Sequence, residues 1–262
     1  MKHLHTFESF LAEALVDEGV RKKDGSYEFD WLTDLPEDLM SLRFKKYRGR
    51  TQKVDGSDTV YTYYYAYQLE KSAGSTDLMK TVKMMEKTIQ PKDLRMFVNK
   101  AVMGFDSTFG ANNFNAIIAS QSSSLILKDL VDQLKSKSGT AELFSEAFVK
   151  NASTDIKLDT EKVDKLPEKT KKEVMRAFKK ATDPSKPFKI KEIFSAHRKF
   201  FREFMLFNKD EDRRLINAVE GQKIILVDDY KTSGTTIKEM IRQLADAGAA
   251  EVVVFVLLKL GE

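Results

Sequence analysis

The stretch KIILVDDYKTSGTTIKEM, residues 223–240, decides how this chain folds. Ile224 to Val227 form an apolar run that ends in two adjacent acids, Asp228 and Asp229. A loop of Lys, hydroxyl residues and Gly follows, and a helical pattern then begins. A buried strand running through a loop into a helix N-terminus is a ready anion site: unpaired amide N–H groups point outward there, and the helix dipole adds partial positive charge. Gly234 allows close approach of the backbone to an anion, and Thr232, Ser233, Thr235 and Thr236 add hydroxyl donors. The spacing G-x-x-x-x-G-K-[ST] is absent, which argues against an ordinary nucleoside triphosphatase. The paired acids are poor ligands for a phosphate. They are good acceptors for sugar hydroxyls, and they can stabilise a cationic carbon or the water shell of a magnesium ion. A ligand with a diol about one sugar ring from a phosphate satisfies both halves, and ribose 5-phosphate is such a ligand. An N-capping loop with surface aspartates explains the hydroxyls but not an acidic pair ending a buried strand. A phosphoacceptor receiver domain also ends a strand in two acids, but too few residues follow Asp229 for the later strands it needs.

Outward from this stretch, TIKEMIRQLADAGA predicts a helix closed by Gly248, and EVVVFVLLK predicts a second buried strand. Strand, helix and strand in this order predict a right-handed crossover between parallel strands, and near-continuous apolar runs suit a parallel sheet covered on both faces. Upstream, Ala116–Ala119 predict a short buried strand, Ser120–Ser124 a hydroxyl-rich loop and Leu125–Leu134 a helix. About Leu143 to Lys150 reads as a strand, although a helix also fits. Residues 151–191 are lysine-rich, polar and contain Pro167, Pro184 and Pro187. They read as a solvated helical insertion; a basic flap over a polyphosphate is the sharper alternative. FKIKEIFSAHRKFFREFMLF, residues 188–207, reads as an apolar helix with a basic second face.

In the first 110 residues, Phe7 to Val16 predict an amphipathic helix and residues 75–90 another, followed by a helix at about Pro91 to Met103. LRFKKYRGRTQ and TVYTYYYAYQLE read as strands joined by the turn KVDGSD, with Tyr61, Tyr63, Tyr65 and Tyr67 alternating along one face. Packing on the core is the default for these tyrosines, and a stacking floor for a flat ligand is the alternative.

The signature IILVDDYKTSGTT, residues 224–236, resembles the phosphoribosyl-pyrophosphate motif of type I phosphoribosyltransferases at every position. That motif is a hydrophobic strand, two acids, two variable residues, then hydroxyl–hydroxyl–Gly–any–hydroxyl. The resemblance implies an α/β fold: a parallel-sheet core over 111–262 carrying the insertion at about 151–191, with an N-terminal α+β extension over 1–110 as a possible acceptor hood. It implies that Asp228 and Asp229 hold the ribose 2′ and 3′ hydroxyls and that Thr232, Ser233, Gly234, Thr235 and Thr236 cradle the 5′-phosphate. Ser120, Gln121, Ser122 and Ser123 take the place of the family's pyrophosphate loop, without the glycine or basic residue many relatives carry there. Lys150 is the candidate basic residue for the pyrophosphate, and Arg198 and Arg202 are further basic candidates. The implied reaction transfers the phosphoribosyl group to a nitrogenous acceptor with release of pyrophosphate, and magnesium accompanies the donor. Thr232 stands where relatives acting on 6-oxopurines have an acid, which argues against that acceptor class. The fold also serves ligand-sensing regulators and nucleic-acid or protein interaction modules, so a non-catalytic role is the alternative. A homodimer is compatible with either role.

Composition sets the outer bounds. A net charge of +4 over 262 residues is a weak argument for nucleic acid. The absence of cysteine excludes disulfides and thiol nucleophiles and suits a cytoplasmic protein. No apolar run approaches the roughly 18 residues of a membrane span.

Overall fold

The computed structural model describes residues 19–23, 26–30, 42–43, 45–69, 91–120, 124–185, 188–208, 213–231 and 234–260. Strands β1 (Gly19–Lys23), β2 (Ser26–Asp30) and β3 (Leu42–Arg43) form a small antiparallel sheet of their own. β4 (Lys45–Arg48), β5 (Gln52–Lys53) and β6 (Val60–Leu69) follow, then helix α1 (Pro91–Phe109), β7 (Ala116–Ala119), α2 (Leu125–Ser138), β8 (Glu142–Phe144) and β9 (Phe148–Lys150). Next come β10 (Lys157–Leu158), α3 (Thr160–Asp164), α4 (Glu168–Ala181), β11 (Phe201–Arg202) and β12 (Met205–Phe207). The chain continues through α5 (Arg213–Val219), β13 (Lys223–Lys231), α6 (Thr235–Asp246) and β14 (Glu251–Leu260).

The central sheet has the order β4-β6-β14-β13-β7-β8, with β5 beside β4 on β6. β6, β14, β13, β7 and β8 run parallel, and β4 and β5 pair antiparallel with β6. Both faces are covered, which is why β13 and β14 read as unbroken apolar runs. On one face, Ile225, Val227, Val253 and Phe255 meet Phe97, Val102 and Phe105 of α1 and Ile126, Leu130 and Leu134 of α2. On the other, Ile224, Leu226, Val252, Val254 and Val256 meet Leu215 and Val219 of α5 and Ile237, Met240, Ile241 and Leu244 of α6. The spacing of those α6 residues makes one helical stripe, as the sequence predicts. Residues 45–69 and 91–109, within the N-terminal region drawn from the sequence, supply one edge of this sheet and a covering helix.

Two helices therefore leave neighbouring strands toward opposite faces. α2 follows β7 and α6 follows β13, while β7 and β13 pair directly. A crevice at the carboxyl ends of such strands is where open α/β sheets bind ligands.

Three expectations are corrected. Tyr61, Tyr63 and Tyr65 share a face, but Tyr67 does not. The pairing passes over Asp229, Leu257 and Ala66 on three adjacent strands, and beyond that level Tyr67 and Leu258 join the layer of Tyr64 and Phe255. Tyr67 stacks on Phe97 at 4.2 Å and donates its hydroxyl to the Phe97 carbonyl at 3.0 Å. Residues 188–207 are not one helix. Two short 3₁₀ turns lead into β11 and β12, which pair antiparallel with β10 and β9. Phe200, Phe201, Phe204 and Met205 are all buried, and their spacing imitates a helical stripe. Glu203, at φ 58°, turns the chain instead. The stretch at 142–150 is two strands, β8 and β9, rather than one. The predicted helices at 7–16 and 75–90 lie outside the described residues.

Candidate active site

Asp228 and Asp229 end the buried part of β13, beside the carboxyl end of β7. Ser120 follows β7 directly, and its amide donates to the Val227 carbonyl at 2.8 Å, extending the pairing by one step. That places the Ser120 hydroxyl on Asp228, to which it donates at 2.6 Å. The same carboxylate oxygen accepts the Asp229 amide at 3.0 Å, and the Asp229 carboxylate accepts the Tyr230 amide at 2.8 Å. Asp229 is 4 % exposed. These bonds offset part of the cost of placing two carboxylates at a strand end, and they fix both side chains in direction.

The loop after β13 closes onto α6 through Gly234. Its φ of 69° and ψ of 12° lie in the left-handed region, where glycine carries no penalty. Gly234 is the N-cap residue and has no side chain to cap the helix, and Lys238 makes the first helical bond to the Gly234 carbonyl at 2.9 Å. Thr235 and Thr236 occupy the first turn, partly exposed. A helix start that follows two oriented carboxylates in this way can take an anion on its amides and a diol on the acids.

The structure thus brings Ser120, Asp228, Asp229, Gly234, Thr235 and Thr236 to one end of two adjacent strands. Gln121, Ser122, Ser123, Thr232 and Ser233 lie outside the described residues. Lys150 is exposed on β9, opposite Met205 of β12, in a two-stranded ribbon distinct from the central sheet. Arg202 is held by Asp159 at 2.7 Å, and Arg198 donates to the Ile193 carbonyl at 2.8 Å, so both serve the insertion's own packing.

The tyrosine face is no open floor. Tyr63 and Tyr65 are 7 % and 4 % exposed and stack on each other at 5.5 Å. Over them lies a residue that sequence reasoning missed, Lys231. Its ammonium donates to the Tyr65 hydroxyl at 2.6 Å and stands 3.7 Å from the centre of the Tyr63 ring. Lys259, paired with Lys231 in register, lies 5.0 Å from the Tyr65 ring. Burial, together with Lys238 and Lys259, lowers the Lys231 ammonium to about 8. Burial and the neighbouring Tyr65, Tyr61 and Asp228 push the Tyr63 hydroxyl up.

Among the described residues, no group of three or more His, Cys, Asp or Glu is placed to hold a metal ion, and no helix is long and apolar enough to cross a membrane. No curated protein matches the chain. Residues 157–262 match the family model of the phosphoribosyl transferase domain. The matched segment contains β13, the loop, α6 and β14, while β7 and Ser120 join the site through sheet pairing from outside it. Residues 157–262, then, are similar to the phosphoribosyl transferase domain, and they contribute β13 and β14 to a mostly parallel α/β sheet.

Proposed function

We propose that this protein binds phosphoribosyl pyrophosphate and transfers its phosphoribosyl group to a nitrogenous acceptor. One observation carries this reading: the Ser120 hydroxyl, at the end of β7, orients Asp228 of β13 on the strand that leads into the glycine-started helix α6. Asp228 and Asp229 hold the ribose 2′ and 3′ hydroxyls, and residues 232–236 hold the 5′-phosphate. Ser120, Gln121, Ser122 and Ser123 are the residues proposed to take the leaving pyrophosphate. In the reaction the lone pair of the acceptor nitrogen forms a bond to C1, the C1–oxygen bond to pyrophosphate breaks, and the nitrogen loses a proton. The transition state resembles an oxocarbenium ion, so positioning and electrostatics supply the acceleration. With no metal cluster among the described residues, magnesium is proposed to arrive with the donor's diphosphate, as part of the substrate.

Titration calorimetry with phosphoribosyl pyrophosphate and magnesium tests the binding, with the Asp228→Asn/Asp229→Asn double variant as control. The double variant is expected to lose binding while keeping its circular dichroism spectrum. Unchanged affinity would contradict the role of the acids. Pyrophosphate release across a panel of bases and amines then tests transfer. The exposed placement of Lys150 off the central sheet favours a second reading, a ligand sensor without transferase chemistry. Tight donor binding with no release for any acceptor would support the sensor.

A further inference from the structure

We propose that the outward face of α4 binds single-stranded nucleic acid, its basic residues taking the phosphates while Phe194 stacks on a base. The proposal is independent of the donor site at the end of β13.

α4 divides into two faces. Val174 is completely buried and packs with Val163 and Phe200, and Ala177, Phe178 and Ala181 lie partly buried against the larger core. On the opposite side Lys169, Lys172, Arg176, Lys179 and Lys180 are all exposed. Their spacing of three and four residues sets them on an arc of about 100° and along about 16 Å of helix. Among the described residues none of these five cations stands in an ion pair. Lys171, which is off the arc, takes Asp164 at 2.7 Å, and Glu173 faces His197 at 3.8 Å.

This arrangement costs the helix stability. Lys169 with Lys172, Lys172 with Arg176, and Arg176 with both Lys179 and Lys180 are like-charge neighbours three or four residues apart, and such pairs repel. The helix dipole favours Lys179 and Lys180 in the last turn but disfavours Lys169 in the first. A solvated helix face laced by ion pairs alternates its signs, whereas here the acids Glu168 and Glu173 stand at the edges of the arc. A run of phosphates laid along the arc removes the repulsion at each step.

Two observations choose the partner. The apolar face of α4 is occupied by the core, so the helix has none left to enter a bilayer, as an interfacial helix must. Phe194, at 67 % exposed, is the most exposed large apolar side chain among the described residues. It stands beside the arc: its ring meets His197 edge-on at 5.3 Å, and His197 reaches Glu173 of α4. An exposed aromatic ring next to a cationic track suits a single strand, in which every base has a face to stack and every nucleotide a phosphate. A duplex keeps its base faces covered, and an acidic peptide has none.

The test is fluorescence anisotropy of the full chain with labelled single-stranded RNA and DNA of about 15 nucleotides, a duplex of the same length and polyglutamate, over a range of salt. Wild type is expected to prefer the single strands, with log K falling against log salt at a slope of about −3. Lys169→Gln/Lys172→Gln/Arg176→Gln should flatten that slope by about 2, since each phosphate contact to a single strand contributes about 0.7. Phe194→Ala should weaken single-strand binding about tenfold at every salt concentration and leave the slope unchanged. Tighter binding of RNA or of DNA supports the proposal either way and identifies the strand. An unaltered slope in the triple variant would overturn it, and so would the absence of wild-type binding at low salt. Equal affinity for the duplex or for polyglutamate would overturn it in favour of a general polyanion surface. Should the triple variant fail to fold, a wild-type slope near zero or full affinity in Phe194→Ala would still contradict the proposal.

Discussion

At the scale of single residues, Lys231 shows how a site lowers the stability of the fold that carries it. Its ammonium falls from the ordinary 10.5 to about 8, chiefly because burial disfavours the charged form and secondarily because of Lys238 and Lys259. A lysine lowered on folding binds more protons in the unfolded chain between those two values. Stability therefore rises with pH across that window, and the full cost of the buried charge is present below about 8. Lys231→Met is accordingly expected to raise the unfolding temperature of the ligand-free protein at pH 7. The gain should shrink as pH rises from about 8 toward 10.5. Thermal melts across that range check this, and a gain independent of pH would show that the effect is packing alone. Asp228 and Asp229 stand out in the sequence because they end an apolar run and directly precede a hydroxyl-rich loop. Lys231 does not. It stands at a variable position of the signature, and its meaning depends on β6 lying beyond β14, a pairing of residues 166 apart.

At the scale of elements, local pattern specified the strand–loop–helix unit well. β7, β13, α6 and β14 fall where hydrophobic runs and helical spacing put them, within a few residues. The stretch 188–207 misled because apolar residues at positions 200, 201, 204 and 205 satisfy helical spacing equally well when a turn folds them inward. That turn depends on Glu203 in the left-handed region, secured by its amide donating to Glu239 at 2.7 Å. Glu239 is 3 % exposed, is paired with Arg242 at 2.8 Å and belongs to α6. A buried carboxylate on α6 thus secures the turn between β11 and β12, a tie that no periodicity announces. Two left-handed positions make opposite predictions. Gly234→Ala meets both the backbone penalty and Lys231, and should destabilise by about 1–2 kcal/mol or more. Glu203→Gly relieves the same penalty and should stabilise by up to about 1 kcal/mol. Urea unfolding of both variants measures the signs, and a loss at Glu203→Gly would mean that its side chain, which pairs with Lys157 at 3.0 Å, matters more than its backbone.

At the scale of the whole molecule, the site depends on strands far apart in the chain. β13 contributes the acids, β7 orients one of them, and β6 holds the lysine through its tyrosines. β6 comes from the region that the sequence suggested as an extension, yet it pairs with β14 along nearly the whole length of both strands. Its register reaches from Val60↔Glu251 to Leu69↔Leu260. α1 adds Phe97 and Phe105, both fully buried, and Phe105 stacks on Phe255 of β14 at 4.7 Å. A fragment limited to 111–262 would therefore expose one edge of β14 and much of one sheet face, including Val253 and Phe255, which are completely buried in the intact chain. Apolar burial contributes about 25 cal/mol per Å², and a domain's net stability is only about 5–15 kcal/mol, so a loss on this scale removes the folded state. An unpaired apolar edge also invites aggregation. The fragment 111–262 is expected to be insoluble or to unfold without a cooperative transition, whereas 45–262, which keeps the whole central sheet, should melt cooperatively. Calorimetric melts of the two fragments decide the point. Cooperative melting of 111–262 would show that the rest of the sheet needs neither β6 nor α1, and would detach Lys231 from the tyrosines that hold it.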